Sequence, residues 1–200
     1  MKVTSKGKSI EVEKGSRFQD IVPLFSDQEK YPLLLAKVGS KIYELHKKVP
    51  EEDCEIEWIT IQNRIGLQSY QRSAVFMLLK AFFHHCKGVK GFNVTIDYTL
   101  GGGFYGYISG EQKLTTELLS KVKSTMQDYV KAEMPIMKRN VSTEEARKLF
   151  HRLGMHSKEQ LFRFRMTSRV NIYSLGNFQD YFYGYMLLNT SYITKFDLFP

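Results

Sequence analysis

The chain has 200 residues, enough for one large domain or two small ones. With 42% hydrophobic and 25% charged residues it has the composition of a folded globular protein, which excludes a disordered or fibrous chain. A net charge of +8 favours nucleic acid, nucleotides or acidic membrane surfaces as partners. Two widely separated cysteines, Cys54 and Cys86, make no disulfide framework and fit a reducing cytoplasm. The polar start is no signal peptide, and no apolar run approaches the roughly 20 residues of a membrane span, so no membrane role is expected.

In chain order, Val3 to Val12 alternates and is broken by Gly7, which predicts a short hairpin. Ser16 is a candidate N-cap for a helix carrying Phe18, Ile21, Val22 and Phe25, kinked or shortened by Pro23. Strands follow at Leu33 to Val38, Ile42 to Leu45 and Cys54 to Thr60. The order suggests a β-grasp roll. Residues 61–70 are polar and place a boundary, after which Ser69 to Cys86 has helical apolar spacing.

Phe92 to Asp97 and Phe104 to Ile108 read as strands around the run Gly101-Gly102-Gly103, and Thr115 to Ala132 as a helix stopped by Pro135. Val141 to Glu145 starts another helix, ending near Gly154. Leu161 to Met166, Val170 to Tyr173 and Tyr192 to Leu198 read as strands. The alternation has no regular βαβ period, so the class is α+β.

Three local patterns bear on chemistry. His84-His85-Cys86 is a weak metal candidate, because adjacent helical residues point in different directions. Gly7-Lys8-Ser9 lacks the glycine five residues earlier that a phosphate-binding loop requires, so no kinase site of that type lies in the chain. Arg163 and Arg165 alternate with apolar residues, and Arg169 follows; this stripe is the best candidate for RNA or phosphate contacts, against an ordinary solvated sheet face. Lys138-Arg139 and Lys47-Lys48 read as surface runs.

Several segments resemble, in order and spacing, the N-terminal region of threonyl-tRNA synthetases. Ala36 to Gly39, Ile42 to Leu45 and Asp53 to Thr60 look like the end of a TGS domain. Gly103-Phe104-Tyr105 is similar to the family's DGFYY strand. Met134-Pro135-Ile136, Val141-Ser142, Glu144-Glu145-Ala146, Phe150 and Leu153-Gly154 resemble its LPI…VSxEEA…F…LG stretch. Tyr173, Gly176, Phe178, Asp180 and Gly184 resemble Y…GDFxDLCRGPH, and Thr190, Tyr192-Ile193, Phe196 and Leu198 the segment after it. The resemblance implies a TGS-like β-grasp domain over residues 1–62 and an editing-like α+β domain over 63–200.

The family's editing domain carries HxxxH on its first helix and CxxxH near its end. The matching positions here hold Arg72, Phe76, Phe182 and Met186, none of which keeps its residue. Phenylalanine ligates no metal and arginine stays charged, so the resemblance implies no metal, no cofactor and no hydrolysis. Asp180 is retained, but a lone carboxylate lacks the partners for hydrolysis. Either apolar side chains have filled the cleft, or a cleft lined by Phe76, Phe182 and Met186 remains, with Arg72 at its edge, suited to a base or an anion.

Degenerate modules of this kind also stand ahead of uridine kinase-like domains in bacterial nucleoside kinases, which the segment Tyr181 to Met186 resembles. The expectation is therefore a non-catalytic regulatory or RNA-contacting region, followed past Pro200 by a kinase domain. The alternative is a free-standing hydrolase of mischarged tRNA.

Overall fold

The computed structural model describes residues 1–164 and 167–200. The first strands, β1 (Lys2–Ser5) and β2 (Lys8–Glu11), form an antiparallel hairpin whose turn places Gly7 at φ 81°. The helix α1 (Phe18–Phe25) follows, then β3 (Leu35–Val38), β4 (Lys41–Glu44) and β5 (Cys54–Ile59). The sheet order is β2-β1-β5-β3-β4, with β1 and β5 parallel at its centre. This is the β-grasp arrangement that the element order predicts.

Two local details differ from the sequence reading. The N-cap of α1 is Arg17, not Ser16. The cap works in reverse, with the Asp20 carboxylate accepting from the Arg17 backbone N–H at 2.8 Å. Pro23 lies inside α1, which ends two residues later and tightens into a 3-10 turn at Ser26–Gln28.

The period of two along β3 and β5 divides the sheet's contacts. Ala36 pairs with Trp58, and both pack with Phe18, Ile21 and Phe25 of α1. Their neighbours Leu35 and Ile59, also paired, belong to the other large core with Phe76, Met77 and Phe82.

Those last residues lie on α2 (Arg64–His85), which starts five residues earlier than its apolar pattern predicts, so most of the polar stretch 61–70 is helix. Asn63 caps it, its side chain accepting from Ile65 N–H at 2.9 Å. Gly66 fits there because a Cβ would lie 2.0 Å from the Thr60 carbonyl oxygen. Further on come the hairpin β6 (Asn93–Leu100) and β7 (Gly103–Ser109), a two-stranded sheet, and then α3 (Thr116–Lys131), capped by Thr115.

A strand that the sequence reading missed, β8 (Ile136–Ser142), leads into α4 (Thr143–Arg152) and α5 (His156–Arg163). Ser142 caps α4, its side-chain oxygen accepting from the Glu145 N–H at 3.1 Å. The strand β9 (Arg169–Leu175) turns at Gly176 into β10 (Phe178–Tyr181), completing the antiparallel sheet β10-β9-β8. Tyr192 to Leu198 is not a strand: a 3-10 turn at Thr190–Tyr192 precedes a segment without ladder bonds. No helix of the described residues is long and apolar enough to cross a membrane.

Candidate functional site

The faces of α2 and β10 bring the family-matching positions together. Arg72 and Phe76 are one helical turn apart on α2, opposite β10 and the segment that continues it. The Phe76 ring is fully buried, 5.5 Å from the Phe178 ring and 5.3 Å from Phe182, edge-on to the latter. Met186 is 1% exposed. Arg72 donates from Nη1 to the Tyr185 carbonyl at 2.5 Å. Its guanidinium lies so close to Gly184, at φ 104°, that a Cβ there would come within 2.8 Å of it. Arg72 makes no ion pair among the described residues, and burial depresses its guanidinium's pKa. Of the two arrangements open from sequence, the space around Phe76 and Met186 is packed core.

Asp180 is not alone. Almost fully buried on β10, it holds the Lys158 ammonium of α5 with both carboxylate oxygens and accepts from the Tyr181 N–H at 2.6 Å. Burial lifts its carboxyl above the usual range while Lys158 opposes the rise. Both oxygens are thus engaged by a cation rather than facing space for a water.

The residues that sequence reasoning missed are Glu44 and Lys138. Glu44, at the end of β4 and 3% exposed, reaches from the β-grasp sheet to the family-matching positions. Its Oε1 accepts from Met186 N–H at 2.9 Å and lies 2.7 Å from the Tyr173 hydroxyl; Oε2 accepts from Lys138 Nζ at 3.1 Å. The hydroxyl is also 2.6 Å from the Gly184 carbonyl, so its one proton serves two acceptors. Burial, reinforced by Glu44, pushes the Tyr173 phenol far above its ordinary range. Lys138 is therefore no surface lysine: its ammonium also sits over the Tyr173 and Tyr185 rings, at 5.3 and 5.8 Å.

His46 borders this cluster, with Nε2 buried, without a hydrogen-bond partner among the described residues, and 3.8 Å from Glu44. Burial lowers its pKa from 6.5, and Lys47, Lys138 and Arg17 push the same way against Glu44. The folded protein thus keeps the ring neutral where the unfolded chain protonates it. Stability from this group is complete above pH about 6.5 and falls as pH drops below that value. Urea unfolding at pH 7.5 and 5.5 should show the loss, and His46→Gln should flatten it; an unchanged slope would remove His46 as its source. His85, also lowered by burial, contributes to the slope in both proteins.

The arginine stripe dissolves. Residues 161 to 163 belong to α5, not to a strand, so Arg163 ends a helix, with its guanidinium 5.9 Å from the Phe164 ring. Arg165 lies outside the described residues. Arg169 opens β9 and is tied to Asn140 through its side-chain and carbonyl oxygens. In the weak metal candidate the His84 and His85 rings lie edge-on, 5.0 Å apart, while His85 Nε2 pairs with Thr125 Oγ1 at 2.8 Å and Cys86 is buried. The positive charge is unevenly spread. Residues 63–200 carry 19 Lys and Arg against 10 Asp and Glu, and residues 1–62 carry 10 against 11.

The class these features define is a TGS-like β-grasp domain followed by a synthetase editing-like α+β domain. The relatives bear that out. The chain is 32% identical over 189 residues, 94% of its length, to threonine–tRNA ligase 1 of Bacillus subtilis. It is 29% identical over 199 residues to the threonine–tRNA ligase of Oleidesulfovibrio alaskensis, and 30% over 164 to that of Thermotoga petrophila. It spans between 25% and 30% of the length of these relatives. No protein-family model matches.

Proposed function

We propose that this chain is a hydrolytically silent form of the synthetase editing region, made of units 1–62 and 63–200, that contacts tRNA or another RNA. The observation that carries the reading is Phe76: at the position of a family histidine stands a ring with no exposed surface, packed against two others. Around it, Met186 is core and Asp180 is neutralised by Lys158. Nothing in that arrangement can hold or deprotonate a water at an ester carbonyl. The relatives' activity as threonine–tRNA ligases and the +9 balance of residues 63–200 support RNA as the partner. We further propose regulatory work beside a uridine kinase-like domain carrying a phosphate-binding loop; the resemblance of the segment Tyr181 to Met186 supports it.

The test is a paired assay on one preparation. Seryl-tRNA should deacylate at the buffer rate, while tRNA binding should be detectable at low salt and weaken steeply as salt rises. Deacylation above background that Asp180→Asn abolishes would restore the trans-editing alternative. Absence of binding at low salt would end the RNA reading.

A further inference from the structure

The outward face of the hairpin β6–β7 has no part in the site described above. Its register sorts the side chains. Val94, Ile96, Phe104 and Ile108 alternate onto the face toward Leu78 and Phe82 of α2, across an open groove of about 570 Å³ that Tyr105 and Tyr107 also border; Phe104 is itself 43% exposed. The opposite face carries Tyr98, Tyr105 and Tyr107, each about half exposed, at 51%, 46% and 47%. A tyrosine left half in water on three neighbouring positions of one strand pair is costly in apolar surface unless something covers it. Tyr98 and Tyr105 are cross-strand partners, and their rings are stacked at 4.9 Å with planes 21° apart. Stacked on each other, the two rings form one paired platform that stays about half in water. Tyr107 follows on the same face two residues along, about 7 Å from Tyr105 at the rise of a β-strand.

Half-exposed rings on one side of a strand pair are surfaces on which unpaired bases stack. The surroundings carry the matching charge. Lys87, Lys90 and Lys113 are exposed at the open base of the hairpin and make no ion pair among the described residues. Asp97, in the bulge of β6, and Glu111 are the acids of the segment. The hairpin tip is anchored, because Gln71 of α2 donates to the Gly102 carbonyl at 3.3 Å, which holds the platform in place.

We propose that the outer face of this hairpin binds single-stranded RNA, with bases stacking on Tyr98–Tyr105 and Tyr107 and the three lysines meeting the backbone phosphates. The inference rests on the RNA reading above and names the surface that performs it. Unpaired bases are the form RNA must take, because a duplex hides the ring faces that tyrosine recognises.

The experiment measures binding of the whole chain to a labelled single strand of about 12 nucleotides and to a fully paired hairpin, across a salt series. Tyr105→Ala/Tyr107→Ala should weaken single-strand binding about 10-fold or more, barely change duplex binding, and leave the salt slope intact, since no phosphate contact is lost. Tyr105→Phe/Tyr107→Phe keeps the rings and should bind like the wild type. If the wild type binds and the alanine pair binds equally well, this surface is wrong and the RNA reading survives. If the wild type binds no RNA, both fall. If the alanine pair instead converts a wild-type dimer to a monomer, the face belongs to a second copy of the chain, and the proposal is overturned.

Discussion

Replacing Phe76 with alanine should lower the unfolding free energy by about 3–5 kcal/mol. The magnitude follows from position: the ring has no exposed surface and touches Phe178 and Phe182, so its removal leaves a void that three packed elements must close. A ring lining an open cleft would cost far less, because water already reaches one side of it. Chemical denaturation separates the two. A loss near 4 kcal/mol identifies core, and a loss under about 1 kcal/mol would reopen the cleft and with it a ligand among Arg72, Phe182 and Met186.

Glu44→Ala should cost a comparable amount, about 3–5 kcal/mol. The change strands the Lys138 ammonium, whose side chain is only 14% exposed, and leaves the Met186 N–H without its acceptor. Glu44→Gln should cost less, since an amide oxygen still accepts from Met186. Adding Lys138→Met to Glu44→Gln should recover part of that loss by removing the unpaired charge. An alanine variant as stable as the wild type would mean that water reaches the cluster freely. The same variant should loosen the contact between the β-grasp sheet and the rest of the chain, because Glu44 alone bridges three partners there; faster amide exchange at Met186 and Leu187 would report it.

The β-grasp half was legible because its signals are local. Alternation over Cys54 to Thr60, the break at Gly7 and the apolar spacing of Phe18, Ile21 and Phe25 each fix an element without reference to anything distant. The strand β8 was not legible, since Met137-Lys138-Arg139-Asn140 reads as a polar run; only pairing with β9 makes it a strand. Missing β8 also hid Lys138. Had its period of two been seen, Ile136 and Lys138 would have fallen on one face, and a lysine beside a buried isoleucine would have stood out. The stretch Leu161 to Met166 failed the opposite way: its alternation imitates a strand, but residues 161 to 163 complete α5, where Phe162 packs on Phe150. The four substituted positions were legible from the resemblance, but not that Lys158 would reach Asp180 or that Glu44 would arrive from the other sheet. Those contacts join residues 22 and more than 90 positions apart, and no local pattern encodes them.

The rings around Phe76 also bear on which substitutions the fold would accept. Phe76 touches Phe178, Phe178 touches Phe83, and Phe83 touches Phe92, each centroid 5.3 to 5.5 Å from the next. An imidazole set into this run at one position would find neither a metal nor a hydrogen-bond partner, and an unsatisfied buried polar group costs about 1–3 kcal/mol. Several neighbours would have to change together before any of them was useful. The packing therefore resists change one position at a time: a histidine placed at Phe76 would be penalised by the rings around it.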